Sequence, residues 1–348
     1  MRIKKNCVLS LDKFIDESLY NKKLGYYMKG NPFGEKGDFI TSPNISVLFS
    51  EMISVWIISF WESLNCPKQF NLIELGAGNG EMMTIMTNTF CKFPQFKNSC
   101  NIKILEKSKH LRKVQKKLIK DSKVKWLNDL KDLNNLPCIF IANEFFDALP
   151  IKQFIKKNKK WHERYVKFTH PTKPEFLDIP YNIQKLEKKI KFKISSKQKF
   201  IEYSPLALEY LKKLTEKIRL NNGGFLIIDY GYINKEMKNT LQAVSKHKYA
   251  DILESFSNSD ITYNLNFSLI NKIVKKFGSF LQITTTQKKF LLKVGILNRA
   301  EILSKNMTFG KKADMYFRIK RLIDKKEMGN LFKVFFVTNK KNKFKLGF

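Results

Sequence analysis

The sequence is poor in the residues that announce a disulfide frame or a metal centre. Its 348 residues include five cysteines, Cys7, Cys66, Cys91, Cys100 and Cys138, odd in number and without CxxC spacing. Such a set reads as reduced thiols in a cytosol-like compartment, with neither a disulfide scaffold nor a zinc ribbon. Only four histidines accompany them, and they are scattered, so no metal is expected. Long charge-free apolar runs are missing too. The best stretch, 44–61, is broken by Asn44, Glu51 and several serines, so no membrane insertion is expected. The N-terminal "MRIKKNCVLSLDKF" reaches Asp12 before an apolar core develops, which argues against a secretory signal, and no Arg- and Ser-rich transit segment is visible. Internal repeats and low-complexity linkers are absent.

Acids are scarce as well, 31 against 65 Lys and Arg, for a net charge of +34. A basic chain invites a nucleic-acid reading. The excess is almost all lysine, beside abundant Asn and Ile, and this reads as compositional drift of exposed positions. Non-specific, salt-sensitive binding to polyanions follows from it, but a dedicated nucleic-acid function does not.

What is present is a packed α/β pattern. "LDKFIDESLYNKKLGYY" predicts a short amphipathic helix ended by Gly25, followed by the Gly- and Pro-rich "MKGNPFGEKGDFITSP". Ser42-Pro43 reads as an N-cap with proline at N1 of a longer helix. From Phe70 the period changes. "FNLIELGAG", "NIKILEKS", "PCIFIANEFFDALP" and "NNGGFLIIDYGY" read as buried strands, with helical segments between the first of them. That alternation predicts a parallel sheet with helices on both faces. The stretch near 155–200 alternates lysine with apolar residues and predicts strands of an insertion. "NLFKVFFVTN" predicts a closing strand of the sheet.

The chemistry concentrates in "NLIELGAGNG". Glycines 76, 78 and 80 follow a strand and sit behind Glu74. A dinucleotide fingerprint needs a small third residue, and Glu81 stands at that place. A Walker loop needs GK[ST], which is missing. An acid at the mouth of the loop repels phosphate and suits a cationic ligand. S-adenosylmethionine, with its ammonium and sulfonium, is such a ligand, and glycines let backbone approach its amino-acid end. Glu106 ends the next strand and can accept hydrogen bonds from both ribose hydroxyls.

"ANEFFDALP" lies at the carboxyl end of the third strand, the edge where open parallel sheets bind ligands. Asn143, Glu144 and Asp147 are thereby placed to face a methyl acceptor. Two acids beside a nitrogen acceptor suit a guanidinium, whose forked donors match carboxylates. Asp229, ending another strand at this edge, lines the pocket or caps the turn; the sequence leaves both open.

Six blocks in order, "GDFITSPNIS", "LIELGAGNG", "NEFFDALP", "GGFLIIDYG", "TLQAVSKHK" and "DITYNLNF", resemble the MidA family of class I methyltransferases. The resemblance runs from about Phe14 to about Leu303. It implies a Rossmann-like core with a seven-stranded, mostly parallel sheet and helices on both faces. It adds an N-terminal helical cap over residues 1–66, and a core over 67–348 with lid or substrate segments inserted near 155–200 and 235–300. Carried over by position, Gly37, Asp38 and Thr41 close over the cofactor, Glu74, Gly76 and Gly78 form its loop, and Glu106 holds the ribose. Glu144, Asp147 and Asn143 meet the acceptor, and His247 joins Asp229 as a candidate cleft residue. The family further implies symmetric dimethylation of a protein arginine in a respiratory complex I subunit or a bacterial counterpart. The expected location is bacterial cytoplasm or, in a eukaryote, the mitochondrial matrix; a homodimer is compatible with the sequence. Asn44, Ala77, Asn79 and the Leu265-Asn266-Phe267 triplet depart from the family's usual TSPEIS, GPGRG and VDF. Two other functions stay open: a methyltransferase for RNA or another nitrogen acceptor, with Phe145 and Phe146 as stacking rings, and a non-catalytic assembly chaperone that keeps the fold.

Overall fold

The computed structural model describes residues 7–30, 41–170, 173–245, 248–254 and 256–348. Its strands are β1 (Cys7–Ser10), β2 (Phe70–Leu75), β3 (Cys100–Leu105), β4 (Lys125–Leu127), β5 (Cys138–Asn143) and β6 (Lys152–Lys157). They continue with β7 (Lys160–His170), β8 (Lys173–Pro180), β9 (Phe200–Tyr203), β10 (Gly223–Tyr232) and β11 (Gln242–Ser245). The last are β12 (Lys248–Ala250), β13 (Asp260–Thr262), β14 (Leu265–Asn266), β15 (Phe280–Thr286) and β16 (Phe332–Asn339). Helices are α1 (Leu11–Tyr20), α2 (Tyr26–Lys29), α3 (Ser42–Ile45), α4 (Val47–Ser63), α5 (Glu81–Phe90), α6 (Pro94–Ser99) and α7 (Lys109–Leu118). The others are α8 (Ile183–Ile190), α9 (Pro205–Asn221), α10 (Phe267–Phe277), α11 (Gln287–Val294), α12 (Ile296–Ser304), α13 (Phe309–Ile323) and α14 (Met328–Leu331).

The central sheet runs β15-β16-β10-β5-β2-β3-β4, with β14 beside the end of β10. It is mixed: β4, β3, β2, β5 and β10 pair in parallel, and β16 lies antiparallel to both neighbours. Strands β2 and β5 are buried along their whole length, as parallel strands covered on both faces must be. Alternation sorts their side chains between two cores. Leu72, Ile139, Ile141 and Ile228 pack with α4 and α5, while Ile73, Phe140, Phe225 and Ile227 face the opposite layer. The Phe-rich β16 is not the sheet's closing strand. It lies one strand in, and the threonine-rich, half-buried β15 forms the edge.

The stretch near 155–200 does form strands: β6, β7, β8 and β9 build an antiparallel sheet with β1. A third sheet has the order β12-β11-β13. The described part of residues 1–66 packs against more than one layer. β1 pairs with β7 in the inserted sheet, and Phe14 of α1 packs 6.1 Å from Phe168. Helix α4 instead belongs to the central core, where Trp56 meets Phe336 edge-on at 5.1 Å.

Two helix boundaries differ from expectation for local reasons. The first helix stops at Tyr20, because the Asn21 side chain accepts from the amides of Lys23 and Leu24 at 3.0 and 3.1 Å and turns the chain early. Thr41, not Ser42, caps α3, and Ser46 starts α4 by accepting from Leu48 N–H. Among the described residues, no helix is long and apolar enough to cross a membrane, and no group of three His, Cys, Asp or Glu could hold a metal.

Candidate active site

The glycine loop leaves the carboxyl end of β2. Gly76 and Gly78 have φ of +65° and +53°, a region other residues enter at a cost. Gly76 has a second constraint, since a Cβ there would stand 2.7 Å from Cδ2 of Phe145. At the end of the loop Glu81 opens α5, its N–H accepted by Asn79 Oδ1 at 3.1 Å and its carboxylate bonded to the Asn44 amide. The helix N-terminus that would hold a phosphate already faces a carboxylate of its own chain.

Behind the loop, Glu74 is 3 % exposed and its Oε2 has no partner. Burial, with the nearby Glu106 charge, pushes its carboxyl up to about 8. Glu106, at the end of β3, accepts from Ser108 N–H at 2.8 Å and from Gln115 Nε2 at 3.2 Å. Burial raises it as well, against those bonds and the Arg112 charge. Gln115 is fully buried and ties the site together: Nε2 also donates to Gly78 O at 2.9 Å, and Oε1 accepts from Trp126 Nε1 at 2.8 Å.

Three cavities meet here, and Glu144 lines all of them. The first, about 320 Å³, runs from Gly76 and Gly78 past Glu106 and Phe145 to Asn128. A small inner one, about 40 Å³, lies between Glu74, the glycine loop, Thr41 and Asn143. The third, about 360 Å³, is a cleft lined by Glu144, Asp147, Asp260 and Thr262. Among the described residues, no basic side chain lines the inner cavity, and the buried Glu74 Oε2 and Asn143 Oδ1 lack partners. These acceptors fit an ammonium group and offer a phosphate nothing. Lys107, the single lysine of the first cavity among the described residues, already faces Asp16 at 3.4 Å. The donor set therefore fits S-adenosylmethionine, with its amino-acid end inward.

The loop after β5 presents the other acids. Glu144 has φ +50°, an uncommon conformation for a non-glycine residue and one that clusters at functional sites. Its Oε1 accepts from Ser42 N–H at 3.4 Å and Asn143 Nδ2 at 3.2 Å. Burial pushes it up to about 7 despite those bonds and one from Tyr230, with the Asp260 charge adding to the rise. Asp147 lines the cleft, is 4 % exposed, and its Oδ1 has no partner. Asp229 sits behind the loop, fully buried, and accepts from the amides of Phe146, Asp147 and Tyr230 at 3.0, 3.2 and 2.9 Å. It shapes the loop rather than the cleft wall. Burial and the Asp229 charge push Asp147 well above the carboxylate range. Burial and the Glu144 charge raise Asp229 as well, against its three N–H donors.

Thr41 lines both the inner cavity and the cleft, with Oγ1 donating to Asn44 Oδ1 at 2.9 Å. Gly37, Asp38 and His247 lie outside the described residues. Phe146 is core, and Phe145 lines the first cavity, so neither offers a stacking face to the acceptor cleft. Asn266, one of the departures from the family pattern, caps α10 by accepting from Leu269 N–H at 3.1 Å. Sequence reasoning missed Gln115, Tyr27, Tyr230 and Asp260. Asp260 opens the quoted block "DITYNLNF", which was its one visible signal.

Residues 52–284 match the model of a family described as S-adenosyl-L-methionine-dependent methyltransferases. The chain is 30% identical to the mitochondrial protein arginine methyltransferase NDUFAF7 of Xenopus tropicalis, over 97% of this chain and 84% of that protein. It is 27% identical to the human counterpart, over 96% and 81%. A Burkholderia thailandensis crystal structure bound to S-adenosyl-homocysteine shares the fold at a TM-score of 0.82 and 21% identity, covering 98% of this chain and 90% of that one.

Proposed function

The chain belongs to the MidA family of S-adenosylmethionine-dependent methyltransferases, and from that premise we propose that it methylates arginine side chains of a protein substrate. One observation carries the reading. In a chain of net charge +34, the acceptor cleft converges on carboxylates, Glu144 and Asp147 foremost. Such a cleft attracts a cation, and the planar guanidinium alone presents forked N–H pairs that match carboxylate geometry. The curated relatives are named for the same activity.

Bound S-adenosylmethionine supplies a methyl group activated by its sulfonium. The residues of this chain do the rest. Glu74, Gly76, Gly78 and Asn143 hold the amino-acid end, Glu106 the ribose, and Thr41, with Gly37 and Asp38, closes the site. Glu144 stands where the cofactor cavities open into the cleft, so it fixes the attacking nitrogen against the methyl group. As the C–N bond forms, that nitrogen must shed one proton. A carboxyl held near pKa 7 can take it and pass it to solvent. Asp147 orients the plane of the acceptor.

The finer reading is symmetric dimethylation of a respiratory complex I subunit or its bacterial counterpart, by a core over residues 67–348 with a seven-stranded, mostly parallel sheet and a lid built from its insertions. Mass spectrometry of complex I subunits from cells with and without the gene tests it. An arginine lighter by one or two methyls in the deletion strain supports the reading. Methyl-labelled RNA with no labelled protein would replace it, and full complex assembly in a Glu144→Ala strain would favour a chaperone.

A further inference from the structure

The acceptor cleft draws a third acid from the block "DITYNLNF". Asp260, on β13 of the small three-stranded sheet, is 5 % exposed and lines the same cleft as Glu144 and Asp147. Its Oδ1 accepts from the Tyr27 hydroxyl at 2.7 Å. Tyr27 lines both the cofactor cavity and the cleft, so its ring stands between the two ligands. The backbone of Tyr27 is itself held: its carbonyl accepts from Ser108 Oγ at 2.9 Å, and Ser108 N–H donates to Glu106. A continuous set of hydrogen bonds therefore runs from the proposed ribose carboxylate to Asp260.

We propose that Asp260 is a third acceptor-binding carboxylate, taking one edge of the guanidinium from the small sheet while Glu144 takes another from the central sheet, with Tyr27 as its positioning residue. This rests on the arginine reading of the same site. A guanidinium offers five donors around a plane, more than one carboxylate can accept, and carboxylates from separate elements fix that plane where one cannot. The cleft is built for this. Among the described residues, its lining carries three acids and one cation, Lys248. The buried Asp147 Oδ1 faces it without a partner. The Asp260 charge raises both Glu144 and Asp147, so the three acids act on each other and a bound cation relieves all of them.

The test titrates N-ethylguanidinium, and its neutral counterpart N-ethylurea, into the full chain saturated with S-adenosylhomocysteine. The wild type should prefer the cation by at least about tenfold. Asp260→Asn should remove most of that preference while leaving S-adenosylhomocysteine affinity within about twofold. Tyr27→Phe keeps the ring and should lower the cation-to-urea ratio about threefold with cofactor affinity unchanged; it also carries the test if the Asp260 variant does not fold. A general packing role for Tyr27 would move all three ligands together and would overturn its assignment. If wild type shows no preference for the cation, the arginine reading falls and this inference with it. If Glu144→Gln loses the preference but Asp260→Asn keeps it, the arginine reading stands and Asp260 has no part in it.

Discussion

Gly76 and Phe145 come from different strands of the central sheet, yet a Cβ on the glycine would lie 2.7 Å from Cδ2 of the phenylalanine. The cofactor loop and the acceptor loop are thus packed directly on one another at the place where methyl transfer is proposed. Gly76→Ala adds that clash to a strained φ of +65°. The variant should lose at least about 30-fold in S-adenosylhomocysteine affinity by calorimetry. Adding Phe145→Leu should recover part of the loss, because it removes the ring but not the strain. If the double variant binds no better than the single one, the contact is not what excludes the methyl group.

Gln115 joins the Gly78 carbonyl, Glu106 and Trp126 through one buried amide. Gln115→Leu keeps most of the volume but strands the Trp126 N–H and removes a donor from Glu106. Urea unfolding should show a loss of about 2–3 kcal/mol, the cost of buried groups left unpaired. Cofactor affinity should fall about tenfold, since Glu106 would be held higher and less ionised. Unchanged unfolding and binding curves would show that the network carries no energy.

The raised Glu74 carboxyl makes two opposite pH dependences. Between its ordinary value of 4.5 and its folded value of about 8, the folded chain keeps a proton that the unfolded chain has lost. Stability of the free protein should therefore fall as pH rises through that window. Affinity for S-adenosylhomocysteine should move the other way, because its ammonium needs the ionised carboxylate. It should rise up to about tenfold per pH unit below the folded pKa and level off above it. Glu74→Gln should flatten both trends. Melting curves and calorimetry from pH 6 to 9 check this, and a wild-type affinity that is flat with pH would exclude the pairing.

Asp229 accepts from two backbone amides of the loop that carries the acceptor acids, Phe146 and Asp147, and from that of its neighbour Tyr230. In Asp229→Asn one carboxylate oxygen becomes a donor facing N–H groups. The expected loss of stability is about 2–4 kcal/mol, read by chemical unfolding. Methyl transfer should slow more than cofactor binding weakens, because Glu144 and Asp147 lose their support while the glycine loop keeps its own. Equal losses in both would place Asp229 in the cofactor site instead.

The sequence by itself determined every element whose signal is local. Continuous apolar runs marked β2, β5 and β10, since a parallel strand buried on both faces has no polar side to show. Glycines where backbone must turn left-handed marked the cofactor loop, and an acid ending β3 marked Glu106. The "NEFFDALP" acids were legible because strand ends at one edge of such a sheet converge. Only the tertiary structure decided the rest. Tyr27 and Asp260 are 233 positions apart, and their hydrogen bond exists because α2 and β13 meet at the cleft. The role of Asp229 depended on which amides stood within reach. The edge fell to β15 rather than β16 because pairing order, not hydrophobicity, sets a strand's place. Short-range patterns fix backbone conformation; the meeting of distant side chains follows from strand order and layer packing, which no short window of sequence contains.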